Sequence, residues 1–300
     1  MLLGAVYDTA MKKMKYNVDS LPYLYSVMVG QKHRMLYYKK LKKRYLNSCT
    51  SDRSWEKKDK VFHKDIIWFC WLQGIDQAPL IVKRCYESLQ KNVKNKKIIV
   101  VDENNLFDYI RLPEYIMDKW KRGIIGMAHF SDLIRLELLR THGGYWIDST
   151  VLCTNGDLLN YIDDESLFMY SWYYFGFNAE IMTYNNWFMY STTNNNVLCL
   201  VQEFLYQYWR DYDRSVDYFI FQLFMTMAVD YYEDEGKRMP IVSQVDSHVL
   251  ATYIFEPFDE KKYDMLKASA GFHKLSTRFN EQEKSQKNTF YDVIVNQGRI

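Results

Sequence analysis

Asp132, Arg135 and Asp148 are the charged residues whose spacing could do chemistry. Asp132 and Arg135 lie three apart within Met127 to Thr141, where Phe130, Leu133, Ile134, Leu136, Leu138 and Leu139 recur at helical spacing. The acid and the base are therefore neighbours on one helix face. Gly143-Gly144 stops that helix, because glycine takes the left-handed conformation without a Cβ clash. Tyr145-Trp146-Ile147 follows, a short strand by composition, and it ends in Asp148-Ser149-Thr150. The tight turn would bring Asp148 back to the Asp132–Arg135 pair, assembling two carboxylates and a guanidinium at one end of a sheet. Open α/β sheets bind ligands at that edge. The alternative is a surface ion pair and an unrelated strand-end acid.

The elements that must carry these residues alternate between β and α. Ile66 to Leu72 is a continuous apolar run, as in a strand covered on both faces, and Gln73-Gly74 closes it. Pro79 opens a helix reaching about Leu89, and Lys97 to Val101 reads as a second strand ending at Asp102. Asn104 to Tyr109 and Pro113 to Lys121 read as short helices, Leu167 to Phe175 and Asn186 to Ser191 as strands. Asn195 to Trp209 and Val216 to Tyr232 read as helices, and Phe290 to Val295 as a terminal element. The β-α-β order argues for an α/β fold with a parallel, doubly wound sheet. No G-x-G-x-x-G is present, so a dinucleotide site is not supported.

Composition narrows the classes further. A 48% hydrophobic content supports a real core, and a net charge of +2 selects no particular partner. Aromatic residues make up 17% of the chain, so many must reach surfaces, where they suit carbohydrate or a protein interface equally. Tyr170 to Phe175, with Asn178 and Glu180 beyond it, could wall a sugar or acceptor cleft, with core packing the competing reading for alternate members. Cys49, Cys70, Cys85, Cys153 and Cys199 show no C-x-x-C spacing, which argues for reduced thiols in a cytosolic protein. The apolar run Leu21 to Val29 is too short to span a bilayer, and the N-terminus lacks a signal-peptide layout.

Three segments are expected: residues 1–60, basic and helical; residues 61–280, the main domain; and residues 281–300, a tail. Residues 31–45 carry Lys32, Arg34, Lys39, Lys40, Lys42, Lys43 and Arg44 with no acid among them, interleaved with Met35, Leu36, Tyr37, Tyr38, Leu41 and Tyr45. Such a helix could contact anionic lipid, pack on the main domain, or bind nucleic acid. Nucleic acid is the weakest of these, since the main domain is near neutral.

Ala128-His129-Phe130-Ser131-Asp132-Leu133-Ile134-Arg135, followed by Gly143-Gly144-Tyr145-Trp146-Ile147-Asp148-Ser149-Thr150, resembles the S-D-x-x-R and G-G-x-x-x-D-x-D region of DxD sugar transferases. It is closer still to the bacterial capsular polysaccharide synthesis glycosyltransferases, which commonly read A-H-x-S-D-x-x-R and G-G-x-W-I-D-A-T there. The likeness extends more weakly from about Ile66 to Arg278. It implies a GT-A-type, Rossmann-like sheet, mixed but mainly parallel, and a retaining transfer from a nucleoside-diphosphate sugar to a glycan or lipid-linked glycan.

The resemblance also implies roles. Trp71, Gln73 and Gly74 would shape the nucleotide-base pocket, with Asp102 near ribose or base; the alternatives are a core Trp71 and an Asp102 that merely starts the next turn. Asp132 and Arg135 would orient the donor, and Asp217 and Gln222, within a D-Y-F-x-F-x stretch, would face the acceptor, unless they are a capping Asp and an ordinary polar helix residue. Asp148, Thr150 and His273 would hold a divalent cation, Mn2+ or Mg2+, and Lys274, in Gly271-Phe272-His273-Lys274-Leu275-Ser276, would share the diphosphate charge. Thr150 stands where such motifs usually end in Asp, so a metal-independent variant relying on Lys274 and Arg135 stays open. The protein would work in the cytoplasm, peripherally on the inner face of the membrane. A protein-modifying glycosyltransferase and a catalytically silent membrane scaffold are the competing readings.

Overall fold

A computed structural model describes residues 21–46, 53–171 and 181–300, with side chains from residue 30 onward. Cys49 and residues 172–180, with the end of the expected Leu167 to Phe175 strand and Asn178 and Glu180, lie outside the described residues. A central sheet has the strand order β2-β1-β3-β6-β5, with β1 Ile66–Cys70, β2 Lys97–Val101, β3 Gly144–Ile147, β5 Leu167–Ser171 and β6 Tyr184–Ser191. β1 pairs parallel with both β2 and β3, while β6 runs antiparallel to β3 and to β5. Four strands thus share one direction, and the α/β fold with a mixed, mainly parallel sheet is as expected from the sequence.

Alternation along the strands divides the core into two layers. Trp68, Trp146, Leu167, Met169 and Met189 point to one face. There they meet helices α3 Met127–His142, α4 Asn196–Asp211 and α5 Ile220–Tyr231, which follow α1 Leu21–Leu41 and α2 Leu80–Asn92 in the chain. Ile67, Phe69, Tyr145, Ile147, Phe168, Phe188 and Tyr190 point to the other face, against α2 and the C-terminal helices. A sheet covered on both sides explains why β1 reads as an unbroken apolar run rather than an alternating one.

The terminal segments share these cores. Tyr38, Leu41 and Tyr45 join the first, and Phe290, Tyr291, Ile294 and Val295 the second. Basic residues of the N-terminal segment pair with acids of the main domain, Arg34 with Asp217 and Arg44 with Asp211, both at 2.9 Å. Tyr38 and Tyr45 donate to Asp230 and Asp211 at 3.1 Å. What stays exposed is a stripe of Lys32, Leu36, Lys39, Lys40 and Lys43. Among the described residues, no helix is long and apolar enough to cross a membrane.

The turn between α3 and β3 positions the rest. Gly143 and Gly144 have φ of 67° and 91°, and a Cβ on Gly144 would sit 2.8 Å from the carbonyl oxygen of Ile66. Glycine is required there by sterics as well as by φ. Trp68 Nε1 donates to the Gly143 carbonyl at 2.8 Å, tying the helix end to the centre of the sheet. A second, two-stranded sheet pairs β4 Val151–Cys153 with β7 Phe272–Lys274, setting Val151 opposite Lys274 and Leu152 opposite His273.

Candidate active site

The carboxyl ends of β1, β2 and β3 lie along one edge, so Trp71, Asp102 and Asp148 leave the sheet side by side. At the β3 end, Asp148 accepts from every side. Arg135 Nη2 donates to its Oδ1 at 2.9 Å, Trp146 Nε1 to the same oxygen at 2.7 Å, and Lys274 Nζ to Oδ2 at 2.9 Å. Lys274 Nζ also donates to Thr150 Oγ1 at 2.6 Å. Burial alone would raise the Asp148 carboxyl, but Lys274, Arg135 and Trp146 outweigh it and hold it below the ordinary carboxylate range.

Arg135 is the hinge of the network. Its side chain is 4% exposed, and its two terminal nitrogens reach different acids, Nη1 donating to Asp132 Oδ1 and Nη2 to Asp148. Its guanidinium lies 4.7 Å from the centre of the Trp146 ring and 5.8 Å from that of Phe221. Asn186 Nδ2 donates to Asp132 Oδ1 at 2.7 Å, and Gln222 Nε2 donates to Asn186 Oδ1 at 3.1 Å. Gln222 therefore reaches Asp132 through Asn186. The second Asp132 oxygen lies 3.9 Å from His129 Nδ1.

The donor-side residues cluster at the neighbouring strand ends. Trp71 and Gly74 are half-buried and Gln73 is exposed, and Trp71 N donates to the Val101 carbonyl at 3.0 Å, extending the β1–β2 pairing. The Trp71 indole N–H is buried with no hydrogen-bond partner among the described residues, a donor without an acceptor beside the strand edge. Asp102 Oδ1 accepts from the backbone N–H groups of Asn104 and Asn105 at 2.8 and 3.2 Å. Cys70 links the two groups. Burial pushes its thiol up to about 12, and Arg135, Asp148 and Asp102 all act on it electrostatically.

Two expected residues are placed differently. His273 is fully buried, and its Nε2 lies 3.0 Å from Thr154 Oγ1. Successive strand residues face opposite ways, so with Lys274 turned to Asp148, His273 is turned from it, and the expected Asp148–Thr150–His273 ligand set does not assemble. Burial lowers the His273 pKa to about 4, leaving a neutral imidazole. Asp217 instead binds Arg34 and caps the next turn through Phe219 N at 2.8 Å, which also explains why α5 begins at Ile220 rather than Val216. Its neighbour Tyr218 is exposed, yet desolvation of its hydroxyl, then Asp132, raises its pKa, with Asp148 acting in the same direction.

Tyr218, Asn186, His129 and the Trp146 indole N–H are members of this site that sequence reasoning missed. Only the packing of α3 on β6 brings Asn186 beside Asp132. For His129 a signal existed, since it stands three residues before Asp132 on the same helix.

The residues present do not fit a divalent cation as they stand. Asp148 is the one carboxylate at the end of the β3 motif, Thr150 offers a hydroxyl, and the Lys274 ammonium is bonded to both. Among the described residues, no group of three His, Cys, Asp or Glu side chains is arranged to hold a metal ion.

Comparison with curated proteins finds no match. Among solved structures, the chain is similar to one titled "PaToxG Glycosyltransferase", with 14% identity over 88% of this chain and 97% of that one, at a TM-score of 0.40. The family model described as capsular polysaccharide synthesis protein matches residues 22–294, nearly the whole chain including the helix before the sheet, and the chain belongs to that family.

Proposed function

We propose that the protein is a glycosyltransferase of capsule or surface-polysaccharide synthesis. It moves a sugar from a nucleoside-diphosphate donor, a UDP-sugar in our reading, to a glycan or lipid-linked glycan, with retention of configuration. The observation that carries this is the Asp132–Arg135–Asp148–Lys274 network at the carboxyl edge of the sheet, in a chain of the capsular polysaccharide synthesis family.

In the reaction, the bond between the anomeric carbon and the β-phosphate oxygen breaks, and its electron pair leaves with the diphosphate. The acceptor hydroxyl oxygen bonds to the same carbon, and its proton passes to a diphosphate oxygen. Cationic donors lower the barrier by stabilising charge on the departing phosphate. Lys274 is the more accessible cation, at 22% side-chain exposure against 4% for Arg135. Arg135 acts from beneath by fixing Asp132 and Asp148. Trp71, with its unpartnered N–H, and Asp102 are suited to the base and ribose, and Tyr218 to the acceptor side.

Retention by same-face transfer is supported by the state of the acids. Asp148 is held by two cations and an indole N–H, with its pKa lowered, which makes it a poor base and a poor nucleophile. The exposed Lys32, Lys39, Lys40 and Lys43 stripe suits an anionic membrane surface carrying a lipid-linked acceptor, on the cytoplasmic side.

Saturation-transfer NMR with a panel of UDP- and GDP-sugars, followed by measurement of nucleotide release, tests the reading. At least one donor should bind and be slowly hydrolysed, whereas no binding by any nucleotide sugar would contradict it.

A further inference from the structure

The second cation of the network occupies a telling position. The first and third positions of the Asp148-Ser149-Thr150 motif converge on a single positive charge, and that charge is an ammonium. Its distances of 2.9 Å to Asp148 Oδ2 and 2.6 Å to Thr150 Oγ1 are those of hydrogen bonds. A magnesium ion would need oxygens at about 2.0–2.1 Å in near-octahedral array. It would also sit beside the Lys274 ammonium on Asp148 Oδ2, where the two positive charges repel.

The rest of the donor set points the same way. Asp148 Oδ1 is filled by Arg135 and Trp146, and His273 is bonded to Thr154 on the opposite face of β7. Lys274 is not a loose surface side chain. Its backbone is fixed opposite Val151 in the β4–β7 pair, so strand pairing sets the face it leaves from, and its bonds to Asp148 and Thr150 hold the ammonium there. An ammonium has three N–H donors. Two are taken by Asp148 and Thr150, and the third has no partner among the described residues.

We propose that the Lys274 ammonium, anchored by Asp148 and Thr150, takes the place of the divalent cation on the β-phosphate of the nucleoside diphosphate, so that transfer is metal-independent. This rests on the glycosyltransferase reading above. Lys274 donates a hydrogen bond and keeps its proton. The diphosphate departs with the electron pair of the broken glycosyl bond, and the acceptor hydroxyl supplies the proton it gains.

Calorimetric titration of UDP and GDP into the wild-type protein, once in EDTA and once in manganese, tests this, with Lys274→Met as the variant. Wild-type affinity for the preferred nucleotide should agree within about twofold in the two buffers, and Lys274→Met should bind at least about tenfold more weakly in both, the loss of one charge-assisted contact. Binding that appears only with manganese would overturn metal independence while leaving the glycosyltransferase reading in place. Wild-type affinity in Lys274→Met would overturn the role of the lysine. Failure of both nucleotides in both buffers would overturn this inference and the functional reading together. The wild-type comparison stands even if the variant does not fold.

Discussion

Nη2 of Arg135 donates to Oδ1 of Asp148 at 2.9 Å across a separation of 13 residues that holds a helix end, two left-handed glycines and a strand. The same guanidinium holds Asp132 through Nη1, so one buried cation sets the spacing of two acids. Removing it leaves two carboxylates with a lost partner in a poorly solvated place. Arg135→Met should cost roughly 3 kcal/mol of stability. Arg135→Lys should recover little, since a point charge does not span both acids as a planar fork does. Urea denaturation checks this, and a loss below about 0.5 kcal/mol in both variants, the range of ordinary surface substitutions, would contradict it.

Gly144 should tolerate no side chain. With φ at 91° and the Ile66 carbonyl oxygen 2.8 Å from any added Cβ, Gly144→Ala must strain the turn or part β3 from β1. A cost of about 2 kcal/mol or more is expected, read as a lower urea midpoint at unchanged slope.

Acid should weaken the fold in two stages. Buried His273 has a folded pKa near 4, below the ordinary value, so the unfolded chain binds its proton first. Its contribution is complete above about pH 6.5 and is lost as pH falls towards 4, by at most about 3 kcal/mol. Asp148 has a lowered folded pKa too, so its contribution is present above the usual Asp value of about 3.9 and is lost only below it. Stability of His273→Gln followed against pH should have a flatter slope between pH 6.5 and 4 than the wild type.

Asn186 should matter to the reaction more than to the fold. It passes Gln222 on to Asp132 through bonds of 3.1 and 2.7 Å. Asn186→Ala removes a hydrogen bond to a charged group and leaves Asp132 Oδ1 to Arg135 alone among the described residues, which should lower kcat/KM by about ten- to a hundredfold. Asn186→Asp should be worse, because it sets a second negative charge against Asp132. Steady-state kinetics beside thermal melting separates this from simple unfolding.

The exposed basic stripe should act at a surface. Reversing Lys39, Lys40 and Lys43 to Glu removes charges that make no ion pair among the described residues. Binding to anionic vesicles should fall by roughly tenfold or more per lysine at low salt, about 1 kcal/mol each plus the added repulsion, with the melting temperature nearly unchanged.

The helix from Met127, the Gly143-Gly144 stop and the strand ending at Asp148 were legible because periodicity, glycine sterics and β-branched composition agree locally over one short segment. β2 and the helix after Pro79 were legible for the same reason, and the β-α-β order made the parallel part of the sheet legible, though not the antiparallel β6. What stayed hidden depends on register between distant segments. Asp217 looks like an acceptor-side acid until Arg34, 183 residues away, is found against it. His273 and Lys274 are indistinguishable as neighbours in sequence, and only the pairing of β7 with β4 decides which one meets Asp148. For the basic helix, packing on the main domain could not be told from lipid contact, because nothing in its own composition shows that Asp211, Asp217 and Asp230 answer its charges.

The most direct test of the central claim is sugar transfer by Asp148→Asn, a variant of nearly the same shape that lacks the charge anchoring Lys274 and Arg135. With the donor that the wild type turns over, nucleotide release should drop at least about a hundredfold while the protein stays folded, as expected when a preorganised electrostatic element is lost. Release at the wild-type rate by folded Asp148→Asn would contradict the account, because the chemistry would then lie elsewhere in the chain.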